Sequence, residues 1–519
     1  MKKYLIIIIT LLLYSSRVIS QNDYDKVWVN GIPISFKTTF NGNNIVNQYF
    51  DTVKNLQFNN GHSNICDANG NLILACTSFD LFNAQANLIQ NGDMLVPDTI
   101  YQTYSGSIIA SQASIILPVS ASKYYLITPT VSDSEYNANW NGSSGRILFD
   151  LMYCHTIDMS ANNGLGAVVR KKQVLIEHVE LGKTRMTACR HGDGNSWWLL
   201  KQGYDSNIVY KFILTLDTIY GPYIQRFTQP YFTKFENTGQ AAFSKDGTQY
   251  ATSNTKAQKA FVSNFDRCSG NLFNPRVIDV PNPWSNNPFD SSELDISISG
   301  VSFSPNGRFL YIVKQCNIMQ FDLQDTNPNT QWSLVGGIDT SWNNFQWYCL
   351  SYLGPDDKLY IGNWNGFSPG MSVINNPDVK GIGCNFCPKC LHFPKYHFSS
   401  TLIGGGVKTP PNMPNYKLGA TNPPCVVGVP EVGQGKKVEY SVLPNPSISK
   451  FMIKYMLDEN EKGIFQVVDI YGQLITEATL NPYLGAQTID LKNNPSGVYY
   501  YRFFVNGIQK ATGKIVLTH

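Results

Sequence analysis

The most restrictive feature of this sequence is a degenerate unit that recurs between Tyr24 and Leu418. In each copy a strand-forming segment leads into a turn rich in Asn, Asp and Gly, and a second, aromatic strand follows. Gly and Asn tolerate the positive φ of a tight reversal, and aromatic and β-branched residues favour pleated strands. The clearest copies are residues 240–250, 300–312 and 353–361, and weaker copies are residues 67–74, 119–126 and 192–199.

The spacing of the turns predicts the architecture. Successive turns lie about 50 to 70 residues apart, which suits four-stranded propeller blades with some long loops. Six turns predict six blades, and three strands within residues 26–50 supply a seventh, completed by a strand near residues 397–403. Closure with strands from both ends removes the last exposed sheet edge. We therefore predict an all-β, seven-bladed β-propeller over residues 21–419, with six or eight blades as alternatives.

Two resemblances accompany this pattern. The clearest copies resemble the F-S-P-D-G-x-x-L repeat of WD40-like propellers. Residues 163–168, 187–191, 264–270 and 411–419 resemble a group of uncharacterised exported bacterial propellers. The second resemblance implies common ancestry and carries no known activity.

The N-terminus predicts export. Lys2 and Lys3 precede an apolar run from Tyr4 to Leu13, and small residues follow before Gln21. This run is too short to span a bilayer, so residues 1–20 are predicted to be a Sec-type signal peptide and no transmembrane anchor is expected. Removing its three basic residues from the total of 40 leaves 37, equal to the 37 acidic residues. A neutral mature chain disfavours nucleic acid and anionic lipid as partners.

The eleven cysteines then lie in a compartment that permits disulfides. Cys66 and Cys76 flank the turn at residues 69–70, which predicts a disulfide across a hairpin. Residues 384–390 form a C-x-x-C-x-x-C stretch followed by His392, a spacing that suits zinc or iron. Export favours disulfides there, so we predict no cofactor.

The C-terminal part predicts a second, smaller domain. Residues 420–437 are rich in Pro, Gly and Val, as a linker is, and residues 438–519 contain several short alternating strands. This pattern indicates a small Ig-like β-sandwich.

The same region resembles the type A sorting domain of the bacterial type IX secretion system. The matching positions are Pro444, Asn445, Pro446, Asp469, Gly472, Gly497 and Lys514. The resemblance implies recognition by the outer-membrane translocon and a sorting peptidase. It further implies removal of the tail, followed by release or by attachment to surface lipopolysaccharide, and hence a secreted or outer-membrane-surface location.

Candidate ligand-binding residues follow from the predicted loops at one mouth of the propeller channel. The side chains that these loops present are polar or aromatic, as the binding of a sugar or a peptide requires. Near the axis these loops present His62, Arg185, Gln240 and Gln346, and further out they present Tyr204 and Trp364.

Two functions are compatible with this pattern. The first is a non-catalytic binding or adhesion module for an extracellular glycan or protein. The alternative is an extracellular hydrolase or lyase with its site at the channel mouth, which rests on fold analogy alone. An enzyme would need two carboxylates about 5 to 10 Å apart or a metal with three protein ligands.

Overall fold

A computed structural model describes residues 23–32, 34–42, 44–104, 110–139, 148–204, 207–227, 239–254, 258–281, 298–337, 347–363, 370–398, 401–404, 409–425, 440–457 and 461–518. The predicted signal peptide lies outside these residues. The chain divides into two compact units, residues 1–425 and residues 426–519. Almost all regular structure is antiparallel sheet, which confirms the all-β prediction.

The first unit begins with two three-stranded sheets. The first sheet contains β1 (Val27–Asn30), β2 (Ser35–Asn41) and β3 (Asn44–Asp51). The second contains β4 (Ser63–Cys66), β5 (Leu72–Cys76) and β6 (Leu81–Asn83).

A seven-stranded sheet follows, in which each strand pairs with its neighbours in chain order. Its strands are β7 (Ile115–Pro118), β8 (Lys123–Thr130), β9 (Phe149–Asp158), β10 (Ala167–Arg190), β11 (Trp197–Gly203), β12 (Ile208–Leu214) and β13 (Ile219–Arg226). β10 pairs with β9 through its first part and with β11 through its last part. Lys172, His178 and Arg185 have positive φ at register shifts along β10, so bulges turn this strand from one half of the sheet to the other.

Three four-stranded sheets complete the series, each an antiparallel meander. They are β14 (Ala241–Phe243), β15 (Gln249–Asn254), β16 (Lys259–Phe265) and β17 (Leu272–Asp279); β18 (Ile298–Phe303), β19 (Phe309–Lys314), β20 (Asn317–Asp322) and β21 (Trp332–Gly337); and β22 (Tyr348–Leu353), β23 (Leu359–Asn363), β24 (Gly370–Ile374) and β25 (Phe386–His392). Gly247 and Gly307 have φ of 73° and 72° at the turns between the first two strands of their sheets, where the repeat predicts tight reversals.

Short helical segments lie in the connections. They are α1 (Asp98–Thr103), α2 (Asp133–Asn139), α3 (Ala161–Gly164) and a 3-10 turn (Gly381–Cys384). None of the helices in the described ranges is long and apolar enough to cross a membrane.

The strand predicted near residues 397–403 does not complete the first sheet. Here β26 (Lys395–Phe398) pairs with β27 (Thr401–Gly404), and His397 lies opposite Leu402. The segment therefore satisfies its backbone as a hairpin with itself, and the first sheet keeps the three strands that the N-terminal residues supply.

The sheets of the first unit pack against one another in chain order, and the first packs against the last. Side chains of β1 and β2 share a buried cluster with side chains of β22 to β25. Within it the Trp28 ring lies 5.3 Å from the Tyr360 ring, and the Phe36 ring lies 5.6 Å from the Phe393 ring. Other buried clusters join the first sheet to the second and each later pair of neighbouring sheets.

The second unit contains two antiparallel sheets around one apolar core. One sheet contains β28 (Tyr440–Leu443), β29 (Lys450–Leu457) and β32 (Tyr483–Asp490). The other contains β30 (Gly463–Val468), β31 (Leu474–Leu480), β33 (Gly497–Val505) and β34 (Ile508–Leu517).

Candidate functional site

His62 is fully buried and engaged within the chain. Its Nδ1 contacts the carbonyl oxygen of Asn59, and its Nε2 lies 3.3 Å from Asn30 Oδ1. Burial lowers the pKa of its imidazole to about 4. A neutral, enclosed imidazole of this kind holds neighbouring segments together.

Arg185 and Gln240 are also buried, and they link different sheets. Arg185 Nε donates to the Ser253 carbonyl at 3.0 Å. Gln240 Nε2 donates to the Ser351 carbonyl at 2.6 Å, while its Oε1 accepts from the amides of Val301 and Ser351 at 3.2 and 3.1 Å. Both the nitrogen and the oxygen of the Gln240 side-chain amide thus form hydrogen bonds between sheets.

Of the remaining predicted ligand residues, the structure describes Tyr204. Tyr204 is 9% exposed, and its backbone N–H donates to the Glu180 carbonyl at 2.9 Å. Gln346 and Trp364 lie outside the described residues. Of the predicted ligand residues that the structure describes, Gln240 alone lines the cavity of the candidate site, and other side chains form the rest of it.

Residues 409–425, which we call the closing segment, contact β7, β10 and β22 of the first unit. Asn412 is 2% exposed, and its Nδ2 donates to the carbonyls of Ser114 and Met186 at 3.0 and 3.2 Å. Its Oδ1 accepts from Gln112 Nε2 at 3.3 Å and from Tyr352 Oη at 3.4 Å. One side chain therefore joins three different parts of the unit, the segment before β7, β10 and β22.

Further contacts hold the part of the closing segment that follows Asn412. The Tyr416 hydroxyl donates to the Ile116 carbonyl at 2.7 Å, and Asn415 Nδ2 donates to the Lys245 carbonyl at 2.6 Å. The Trp197 ring packs edge-on against the Tyr416 ring at 5.8 Å. The closing segment thus connects strands of several sheets through its own side chains.

A cavity of about 410 Å³ lies beside the closing segment, near the turns that follow β14 and β22. Its volume is in the range of small-ligand pockets. The side chains that line it include aromatic and aliphatic groups, among them Trp28, Phe243, Phe303, Leu353 and Leu418. Charged groups at the cavity give it a polar boundary.

Two ion pairs form that boundary. Lys245 Nζ lies 2.6 Å from Asp357 Oδ1, and Lys417 Nζ lies 3.4 Å from Asp25 Oδ1. Burial raises the pKa of the Asp25 carboxyl, although the Lys417 ammonium opposes the shift. The cavity therefore offers positively charged, negatively charged and apolar side chains to a ligand.

The structure overturns the predicted Cys66–Cys76 disulfide. Both residues are buried free thiols, because the register of β4 and β5 places Ser63 opposite Cys76 and Leu72 opposite Cys66. The disulfides join Cys268 to Cys425 and Cys387 to Cys390.

The Cys387–Cys390 disulfide uses two of the three cysteines in the C-x-x-C-x-x-C stretch. Cys384 is a buried thiol whose pKa is raised by desolvation. No group of three His, Cys, Asp or Glu residues suited to a metal ion occurs in the part of the chain that the structure describes.

In the second unit, the predicted sorting residues occupy turns and strand ends. Asn445 Nδ2 donates to the Lys514 carbonyl at 2.6 Å, and Asn445 Oδ1 accepts from the Val516 amide at 2.9 Å. The P-N-P stretch at residues 444–446 is thereby tied to the final strand. The two motifs lie together although they are about 70 residues apart in the sequence.

A tight turn forms at the other matching positions. Asp469 Oδ1 accepts from the amides of Tyr471 and Gln473 at 2.8 and 2.9 Å, and Gly472 has φ of 84°. Tyr471 is 89% exposed at this turn, and Gly497 begins β33.

Residues 441–518 match the family model described as a secretion system C-terminal sorting domain. The match supports export by type IX secretion and implies processing by that system. The protein is accordingly secreted or displayed at the cell surface.

Comparison with curated proteins gave no match. Among solved structures, a "putative 6-phosphogluconolactonase" from Bacteroides fragilis is 11% identical, with a TM-score of 0.40 over 67% of this chain and 90% of its own. One of the same description from Bacteroides uniformis is 12% identical, with a TM-score of 0.38 over 67% and 92%. The periplasmic gluconolactonase of Pseudomonas aeruginosa is 11% identical, with a TM-score of 0.31 over 59% and 88%. We draw nothing from these likenesses about what this chain binds.

Proposed function

We propose that residues 21–425 are a secreted or surface-attached, seven-bladed β-propeller that binds an extracellular glycan or protein without transforming it. The blades would be the two three-stranded sheets, the two halves of the seven-stranded sheet divided within β10, and the three four-stranded sheets. The packing of the first sheet against the last supports a closed ring, because it covers both ends of the series.

The observation that carries the proposed binding function is the cavity beside the closing segment. It combines apolar side chains with the Lys245–Asp357 and Lys417–Asp25 pairs, so it suits the polar end of a glycan or peptide that also presents an apolar face. Both carboxylates face a lysine, which favours a binding role over a free catalytic pair.

Binding is tested with the mature chain on a glycan array and against biotinylated surface proteins. For a ligand found in this way, Lys245→Ala with Asp357→Ala should weaken binding by about tenfold, because both charged groups leave the cavity. The matched control is Lys259→Ala with Asp279→Ala, which removes an ion pair of 3.1 Å on β16 and β17 and should leave the affinity unchanged. Retention of no glycan or protein would contradict the proposal, as would equal losses for the two double variants.

The alternative hydrolase or lyase would use Asp25 and Asp357, the carboxylates that line the same cavity. It predicts that a bound polymer is cut and that Asp25→Asn abolishes the release of new chain ends. Binding without product release excludes this alternative.

The sorting tail is tested by deleting residues 438–519. We expect the deletion variant to fold and to accumulate in the periplasm, whereas the full chain reaches the surface or the medium. Normal export of the deletion variant would show that the tail is not the sorting signal.

A further inference from the structure

The last part of the closing segment, residues 418–425, lies against two turns that contain glycines. A Cβ on Gly192 would overlap the sulfur of Cys425, and a Cβ on Gly194 would lie 2.7 Å from the Ala420 nitrogen. A Cβ on Gly247 would lie 2.7 Å from Leu418 Cδ2. Side chains at these positions would therefore displace the segment.

Polar contacts and one covalent bond hold the segment there. The Thr421 amide donates to the Gly192 carbonyl at 2.9 Å, and the Arg267 guanidinium donates to the Gly419 carbonyl. The disulfide joins Cys425 to Cys268, which follows Arg267 directly.

The two ends of the closing segment are held differently. Asn412 and Tyr416 are buried and anchor the first part through hydrogen bonds with residues of β7, β10 and β22. Beyond Leu418 the segment lies near the surface, and the second unit begins directly after Cys425. Once the tail is cut off, Cys425 lies close to a new chain end, and such ends fray unless they are tied down.

We propose that the Cys268–Cys425 disulfide is a clasp that keeps one wall of the ligand cavity in place after the sorting tail has been removed. Lys417, Leu418 and Gly419 line that cavity, so fraying back from Cys425 would open it. This inference rests on the proposed function in one respect, which is that the cavity whose shape the clasp preserves in the processed protein is the ligand site.

Cys189 provides a native reporter of this wall. It is a buried free thiol that lines the cavity and shares a packed cluster with Leu418. Burial raises the pKa of its thiol to about 12, so a maleimide should modify it only when the wall opens.

The experiment uses the full chain with a specific protease site placed within residues 428–436, before and after cleavage there. We measure maleimide labelling of Cys189 by peptide mass spectrometry and hydrogen exchange of residues 415–425. After cleavage, Cys268→Ser with Cys425→Ser should accelerate both by at least about tenfold, because local opening sets the two rates. The control, Cys387→Ser with Cys390→Ser, removes the other disulfide and should match the unmodified chain.

A second pair of variants avoids changing the disulfide itself. Gly192→Ala should accelerate the same two rates, whereas Gly182→Ala should not, since a Cβ on Gly182 meets its nearest atom at 3.4 Å. Equal labelling of Cys189 in the cleaved double-serine variant and the cleaved unmodified chain would overturn the clasp, as would rapid labelling of the cleaved unmodified chain. Neither readout requires a ligand, so failure to find one leaves this result interpretable.

Discussion

Replacing Asn412 by Asp gives the sharpest test of the closing segment. The two acceptors facing Asn412 Nδ2 are backbone carbonyls, and the two groups facing Oδ1 are the donors Gln112 Nε2 and Tyr352 Oη. The amide orientation is therefore fixed by its partners. Asn412→Asp keeps the shape of the side chain and removes both N–H donors.

The expected loss follows from those two contacts. An ionised carboxylate leaves the carbonyls of Ser114 and Met186 without their donor, and each buried unsatisfied carbonyl costs about 1 to 3 kcal/mol. We expect a loss of about 2 to 6 kcal/mol in the free energy of unfolding at neutral pH. Because burial raises the pKa of the introduced carboxyl, the folded variant takes up a proton as the pH falls. The new O–H then donates to one carbonyl, and the deficit becomes smaller.

Urea unfolding followed by tryptophan fluorescence measures this loss in the first unit alone, because all nine tryptophans precede residue 426. Asn329→Asp is the matched control, since it adds the same charge at an exposed position. A neutral-pH stability equal to that of the control would show that Asn412 is not enclosed, and the account of the closing segment would fail.

Three further predictions concern the first unit. The Cys268–Cys425 disulfide closes a loop of 157 residues, so removing it should lower the free energy of unfolding in urea by up to about 5 kcal/mol. Removing the Cys387–Cys390 disulfide should lower it by about 2 kcal/mol, and equal losses would contradict this chain-entropy reasoning. The pKa of His62 is lowered from 6.5 to about 4 in the fold, so the folded state disfavours the protonated imidazole. The free energy of unfolding is therefore unaffected by this group above pH 6.5 and decreases as the pH falls towards 4. The free energy of unfolding should fall between pH 7.5 and 4, and His62→Gln should remove about 3 kcal/mol of that fall, since the buried His155 contributes separately. An unchanged slope in that variant would refute the assignment. Trp28→Ala should cost about 3 to 5 kcal/mol, because this buried ring lies between the first and last sheets; a loss below 1 kcal/mol would contradict their packing.

The turns and their flanking strands could be predicted because their signals are local. Residues 300–312 contain the end of β18, a turn with Gly307 at positive φ, and the start of β19. Alternating apolar residues and a turn glycine are sufficient for such a unit. The turn at Asp469 and Gly472 in the sorting tail could be predicted for the same reason, since it forms between neighbouring residues.

The closing segment could not be predicted because its contacts are remote. Residues 409–419 contain no strand pattern, and Asn412 bonds to a carbonyl 298 positions away. Cys425 likewise finds Cys268 across 157 positions, and sequence spacing gives no connectivity at that range. The Cys66–Cys76 prediction was wrong because the two cysteines lie at unequal distances from their turn, so β-pairing cannot place them opposite one another.

The polar residues predicted at the channel mouth show a different difficulty. Residue type indicated that His62, Arg185 and Gln240 need hydrogen bonds, but it did not indicate whether a ligand or the chain supplies them. Each of these side chains has a backbone carbonyl of the same unit within hydrogen-bonding distance, so the chain itself satisfies the side chain.

Departures from the repeat are a better guide to the site, and Asp357 shows why. Two other copies place Gly247 and Gly307 at the left-handed turn position, whereas Asp357 occupies it with φ of 62°. A side chain there costs about 0.5 to 1 kcal/mol, yet this one holds Lys245 at the rim of the cavity. Asp357→Gly should therefore raise the free energy of unfolding by up to about 1 kcal/mol and weaken ligand binding. If the variant binds as tightly as the unmodified chain, the carboxylate serves the turn alone, and the cavity rim does not select the ligand.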